Sequence, residues 1–375
     1  MTIGIRRPDT TIFTHPSHSL VRGWRWPDLA DVQVLLVGLA TFAGITAMFA
    51  LVGFNPVHSD VLGYLQWSRV WWFVRDQYHL PGYPALLWLV RTLTGGRLDG
   101  APLLDVVALG AWIAAVRYVS LTLATEHEGG RAFGTALFAL FPFVGVAYVA
   151  WPTVDAIAAA ALTAAIYYLV RRAWWRYTIA VAMALVIHKV LWPYMGLLTI
   201  VAIWRSGYPV RRIVLAAVPL GVYWLWGVVD GGGVLWIVHT NLHAELSSHS
   251  QLPVLDGVLG TLLAGGVRGW GKGTVLIALG LANVALAVSM MRRRDGLMLA
   301  LTIPTLILFV ILNQHEAWAF VRFGRILALP AAVVVAEHRA WRATLARPAV
   351  WWALIVMLVV LQVAFAYYMA TAYFA

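Results

Sequence analysis

The sequence has no cysteine, which excludes disulfide bonds and thiolate-ligated metal. Charge is also scarce. Asp, Glu, Lys and Arg make up 11% of the 375 residues, against roughly 25% in soluble domains. Acidic residues are the rarer sign, 16 against 27 Lys and Arg, for a formal charge of +11. No internal repeat and no low-complexity tract is visible. Nor are there the ~10-residue alternating strands of a membrane barrel. What is abundant is apolar: 62% of the residues are hydrophobic, with a mean hydropathy of +0.79. Several apolar runs reach the ~20 residues that cross a ~30 Å hydrocarbon core. The chain therefore reads as an all-α polytopic membrane protein. Its basic excess does not call for nucleic acid, because the arginines cluster between apolar runs as the positive-inside rule requires.

Charge bias also orders the chain. Residues 1–30 carry Arg6, Arg7, Arg22 and Arg25 and are expected to be cytoplasmic. The run that follows is too long for a signal h-region and reads as a retained first span, at 32–54. The segment at 83–93 is apolar but short, and Arg91 interrupts it. Counted as a span, it would place Arg171-Arg172, Arg211-Arg212 and Arg292-Arg293-Arg294 outside. Counted as a surface or re-entrant helix, it leaves them all inside, and charge bias favours that choice. About eleven spans result, in a single membrane domain over residues 1–375. Residues 55–101 form a first outer loop with amphipathic juxtamembrane helices, and residues 230–272 form a second long outer loop. Spans five and six cover 177–204 and meet outside near His188-Lys189, and span seven covers 212–229.

This topology gathers the versatile side chains on one face. His58, Asp60, Asp155, Lys189, His243, Glu245, Arg268, His315, Glu316 and Arg322 all lie outside or at the outer edge. The inner loops hold mainly arginine. Asp60 stands just past the first span, where an aspartate also serves as a helix cap. Asp155 opens a span after Pro152, where the helix dipole favours an acid. Lys189, among Val186, Ile187, Val190 and Leu191, needs a partner or a route to the headgroups, since a cation within a span costs ~2.5–3.5 kcal/mol. Arg325 follows Arg322 by about one turn, so the two share a helix face; pairing with Glu316 or Asp295 would equally explain them. His239, His243 and Glu245 share a face by spacing, yet the pattern is not HExxH, and no metal site is assigned. Trp67, Trp71 and Trp72 give the helix after Asp60 an apolar face suited to the outer leaflet.

The order of these features resembles the GT-C family of glycosyltransferases, which use polyprenyl-phosphate sugars and include the protein O-mannosyltransferases and lipid A aminoarabinose transferases. The resemblance covers roughly residues 32–205. It rests on Asp60 and Tyr64 after the first span and on His79-Leu80-Pro81-Gly82-Tyr83-Pro84 before a short helix. Asp155 after Pro152, and Lys189 at the head of a later span, complete it. Leu80 departs from the pattern, which often has Pro there, and there is no large soluble C-terminal domain. The resemblance implies a GT-C-like bundle with Asp60 as catalytic base. Lys189, Arg322, Arg325 and Arg268 would hold the donor phosphate. His58, Tyr64, His79, Asp155, His243, Glu245, His315 and Glu316 would line the substrate site.

The chemistry is self-consistent. A phosphate leaving group is stable as an anion and needs no general acid, so one carboxylate suffices to take the acceptor proton. Attack opposite the phosphate inverts the anomeric centre. The expected partners are a polyprenyl-phosphate sugar donor, mannose favoured, a lipid or glycan acceptor, and membrane lipids. No cofactor is assured, and a divalent cation, magnesium or manganese, stays open. The expected location is a bacterial inner (plasma) membrane with the site on the periplasmic or extracytoplasmic side. The alternative is a transporter or flippase of lipid-linked saccharides, which would place charges at the midplane between repeated halves.

Overall fold

The computed structural model describes residues 59–70, 80–96, 154–238 and 296–311, with parts of 277–292 and 347–360. Every regular element among them is helical, and no strand occurs among the described residues. In chain order they are α1 (Ser59–Trp67), α2 (Gly82–Leu93), α3 (Val154–Val170), α4 (Trp174–Ile187), α5 (Leu191–Ser206) and α6 (Arg211–Gly227). A wide π-type turn (Val228–Gly232), the single turn α7 (Trp236–Val238) and α8 (Gly296–Ile311) follow.

The centre is an antiparallel hairpin of α3 and α4, joined by the three residues Arg171 to Ala173. On α3 the buried stripe is Leu162, Ala165, Ile166 and Leu169; on α4 it is Tyr177, Ala180, Val181, Ala184 and Ile187. Both follow the helical period. Arg172 closes α3 in the left-handed region, at φ 53°, and the Ala173 N–H donates back to the Tyr168 carbonyl. A non-glycine residue there costs about 1–2 kcal/mol, so packing of the hairpin holds the turn.

After α4 the chain breaks for three residues and reverses into α5. Helix α5 buries Leu191, Tyr194, Met195, Leu198 and Ala202 and is tied to α8 by the Tyr194 and Thr305 hydroxyls, 2.8 Å apart. It ends on Gly207 at φ 70°, with the Tyr208 N–H donating to the Ala202 carbonyl. This is a glycine-terminated C-cap. The Tyr208 hydroxyl then meets Thr178 Oγ1 at 2.8 Å, pinning the α5–α6 turn to the start of α4.

Helix α6 crosses α4. With the π-type turn it forms Arg211–Gly232, a run of 22 residues that is long and apolar enough to cross a membrane. The 17 residues of α6 itself rise ~26 Å at 1.5 Å per residue, and the π-type turn adds the rest of the run. Helix α6 buries only Ala216, Tyr223 and Gly227, while Val214, Leu215, Val218, Val222 and Leu225 are exposed. An exposed apolar surface of this kind is rarely left to water. Shorter apolar segments are Ala160–Val170, Trp174–Ile187 and Gly296–Ile307.

The short helix α2 has 12 residues, about 18 Å, well under the ~30 Å core. Helix α1 stops sooner than the Trp67, Trp71 and Trp72 spacing predicts. It ends at Trp67, and residues 68–70 form a turn in which the Ser68 hydroxyl donates to the Leu65 carbonyl at 2.7 Å. Serine competes with the helix ladder in this way. Trp71 and Trp72 lie outside the described residues.

Candidate active site

Short connections make α3 to α6 alternate in direction, so α3 begins where α4 ends, α5 begins and α6 ends. The charges sort by end. Between residues 154 and 238 the only acids are Asp155, in the first turn of α3, and Asp230, in the turn after α6. Lys189 lies at that same end, in the α4–α5 break. Every arginine of this stretch lies at the opposite end.

Helices α1 and α2 dock on the acidic end. Helix α1 packs on α2, and α2 on α4. The α1–α2 contact centres on Tyr64, 5% exposed, and Tyr83, fully buried. Their rings meet edge to face with centroids 4.9 Å apart. The α2–α4 contact centres on Gly82, where a Cβ would stand 2.7 Å from the Val186 carbonyl oxygen. Only a residue without a side chain fits there. Leu80 joins Tyr223 and Trp236 in a buried cluster, flanked by Trp192 from α5 and by Trp224 and Trp226 from α6. This explains a leucine at position 80: its side chain is the apolar plug that seats the loop against α6 and α7. One short stretch, Leu80 to Tyr83, thus clamps α1, α4, α6 and α7 together.

Beside the clamp, α4 gives way to an extended His188, at φ −151° and ψ 126°. Its Nδ1 accepts the Val190 N–H at 3.1 Å, so in the neutral ring the proton is on Nε2. The next residue, Lys189, is half-buried, and its ammonium nitrogen is buried. Trp192 closes the break by donating Nε1–H to the Leu185 carbonyl at 2.9 Å. The Lys189 cation is therefore held at the end of the bundle just beyond Val186 and Ile187, which Gly82 touches.

The predicted residues divide accordingly. Tyr64 and Lys189 are described with their side chains, and both belong to this end. Asp60 lies in the first turn of α1, one turn before Tyr64, and Asp155 lies in the first turn of α3; their side chains fall outside the described part. His58, His79, His243, Glu245, Arg268, His315, Glu316, Arg322 and Arg325 also lie outside the described residues. The metal-like stretch from His239 to His249 does too, and the described residues contain no group of three possible metal ligands. Sequence reasoning missed His188 as the residue that shapes the break, and Gly82 as the contact point. The polar His188-Lys189 step between two apolar runs was the available signal for the first. The second carries no local signal, because its constraint comes from Val186. No protein-family model, curated protein or solved structure matches this chain.

Proposed function

We propose that the protein is an inverting glycosyltransferase that moves a sugar, mannose favoured, from a polyprenyl phosphate to a lipid or glycan acceptor. The observation that carries this reading is the docking of Leu80 to Tyr83 against the end of α4. It brings α1, with Asp60 in its first turn, to the same end as Lys189. A base and a buried cation at one end, beside lipid-facing helices, match what the reaction needs. The base takes the acceptor proton, and the cation stabilises the charge growing on the phosphate oxygen. Within this reading about eleven spans cross a bacterial plasma membrane. The acidic end lies on the extracytoplasmic side, and arginines 268, 322 and 325 complete the phosphate site.

The test is sugar transfer from radiolabelled polyprenyl-phosphate donors in membranes carrying the wild type, Asp60→Asn or Lys189→Gln at matched folded levels. Asp60→Asn should bind donor and lose turnover, because the amide cannot take a proton. Lys189→Gln should weaken donor binding, as loss of one charge-assisted contact removes about 1.5–3 kcal/mol. Full activity of Asp60→Asn would remove that residue from the mechanism. Absence of transfer from every donor in the wild type would sink the enzyme reading and favour transport of lipid-linked saccharides.

A further inference from the structure

The arginine end carries a second binding surface. Arg176 stands in the first turn of α4, and Arg211 and Arg212 open α6. The Arg212 guanidinium lies 4.7 Å over the ring of Trp175, which is 59% exposed. The Arg176 guanidinium lies 6.0 Å from the Tyr168 ring. Arg176 on α4 and Arg211 and Arg212 on α6 thus lie at one end of two neighbouring helices, with the exposed Trp175 against Arg212. No acid balances them among the described residues of this end, since Asp155 and Asp230 sit at the other. Neither α4 nor α6 has an acid in its first turn, although the helix dipole favours one there. Arg205 is excluded from the group, because its guanidinium packs against Gly296 at the start of α8.

The apolar surface runs directly into this cluster. Below Trp175 on α4 follow the exposed Ile179 and Met183, and below Arg211 on α6 the exposed Val214, Val218 and Val222. Trp204, 85% exposed, stands at the same level on α5. A row of cations and tryptophans capping an apolar wall is where lipid headgroups lie. Guanidinium groups held by ring stacking also match phosphate geometry. We propose that Arg176, Arg211 and Arg212, with Trp175, bind the phosphate of an anionic phospholipid of that leaflet and hold the α4–α6 pair together through it. The inference rests on the reading of α4 and α6 as membrane helices, and not on the sugar-transfer reading.

Full-length protein in zwitterionic detergent is titrated with phosphatidylglycerol, and bound lipid is counted by native mass spectrometry. The variants are R176Q/R211Q/R212Q and the charge-keeping R176K/R211K/R212K. At roughly fivefold per cation near an anionic surface, the glutamine variant should lose affinity on the order of a hundredfold. The lysine variant should keep most of it. Phosphatidylglycerol nanodiscs should raise the wild-type Tm over phosphatidylcholine nanodiscs, with the gain shrinking as salt rises. Equal binding by the glutamine variant, or an equal Tm gain from inorganic phosphate in phosphatidylcholine, would overturn the proposal. Should the glutamine variant fail to fold, a wild type with no preference for phosphatidylglycerol over phosphatidylcholine overturns it as well. Release of the wild type from membranes by carbonate would instead overturn the membrane reading on which it rests.

Discussion

Tyr64 and Tyr83 meet edge to face at 4.9 Å, with their planes at 88°, and this contact joins the helix carrying Asp60 to the loop that docks on α4. Such pairs contribute about 0.5–1.5 kcal/mol beyond the area they bury. Tyr83 is fully buried, so its ring also fills volume that no neighbour replaces.

Tyr83→Ala should destabilise by about 3–5 kcal/mol, the cost of emptying a buried aromatic site. Tyr64→Ala should cost less, because its ring retains slight exposure. Thermal unfolding of both single variants and the double variant in nanodiscs measures the coupling. Strict additivity would mean that the two rings do not hold α1 to α2.

Gly82→Ala should impair the site, because the new Cβ would press on the Val186 carbonyl. Overpacking of this kind costs about 1–3 kcal/mol, and here the strain falls beside His188 and Lys189. Gly196, inside α5, has nothing within 4 Å of an added Cβ, and Gly196→Ala should stabilise by about 0.5–1 kcal/mol. Under the proposed function, transfer should fall in the first variant and persist in the second. Comparable activity in both would dissociate the α2–α4 contact from the site.

Much of the helical layout was legible because its punctuation is chemical. Arg171-Arg172 marks the turn between α3 and α4. His188-Lys189 marks the break placed between the predicted spans at 177–204, and Gly207-Tyr208-Pro209 ends α5. The predicted span at 212–229 matches α6 to within two residues. The short apolar segment before Arg91 forms a helix too short to span. The docking was not legible. Leu80 lies more than 140 residues before Tyr223 and Trp236, and each alone reads as an ordinary apolar or interfacial residue. Nothing local in Pro81-Gly82 announces that Val186 will lie against it. The Tyr64–Tyr83 pair joins an expected substrate-site residue to a member of the His79–Pro84 motif, and their packing was not foreseen.

His188→Asn and His188→Ala should separate. Asparagine keeps a side-chain acceptor for the Val190 N–H, now served by Nδ1 at 3.1 Å, whereas alanine removes it. Loss of that hydrogen bond costs about 0.5–1.5 kcal/mol and frees the turn that sets the Lys189 backbone. Donor affinity should drop in the alanine variant and largely return in the asparagine variant. If both lose affinity alike, the imidazole itself touches substrate.

Gly227→Ala tests the far wall of the clamp. A Cβ at residue 227 would overlap the Trp236 ring, whose Nε1–H donates to the Trp224 carbonyl at 2.8 Å. Trp236 lies edge to face with Tyr223 at 5.2 Å, and both enclose Leu80. The substitution must therefore displace the ring, break its hydrogen bond or splay α6 from α7, at about 1–3 kcal/mol. Trp236→Leu alone should also destabilise. In the double variant the smaller side chain leaves room for the new methyl, so the combined loss should be less than the sum. Unfolding midpoints of the four proteins give the coupling directly. If the losses add, Gly227 does not set the position of Trp236.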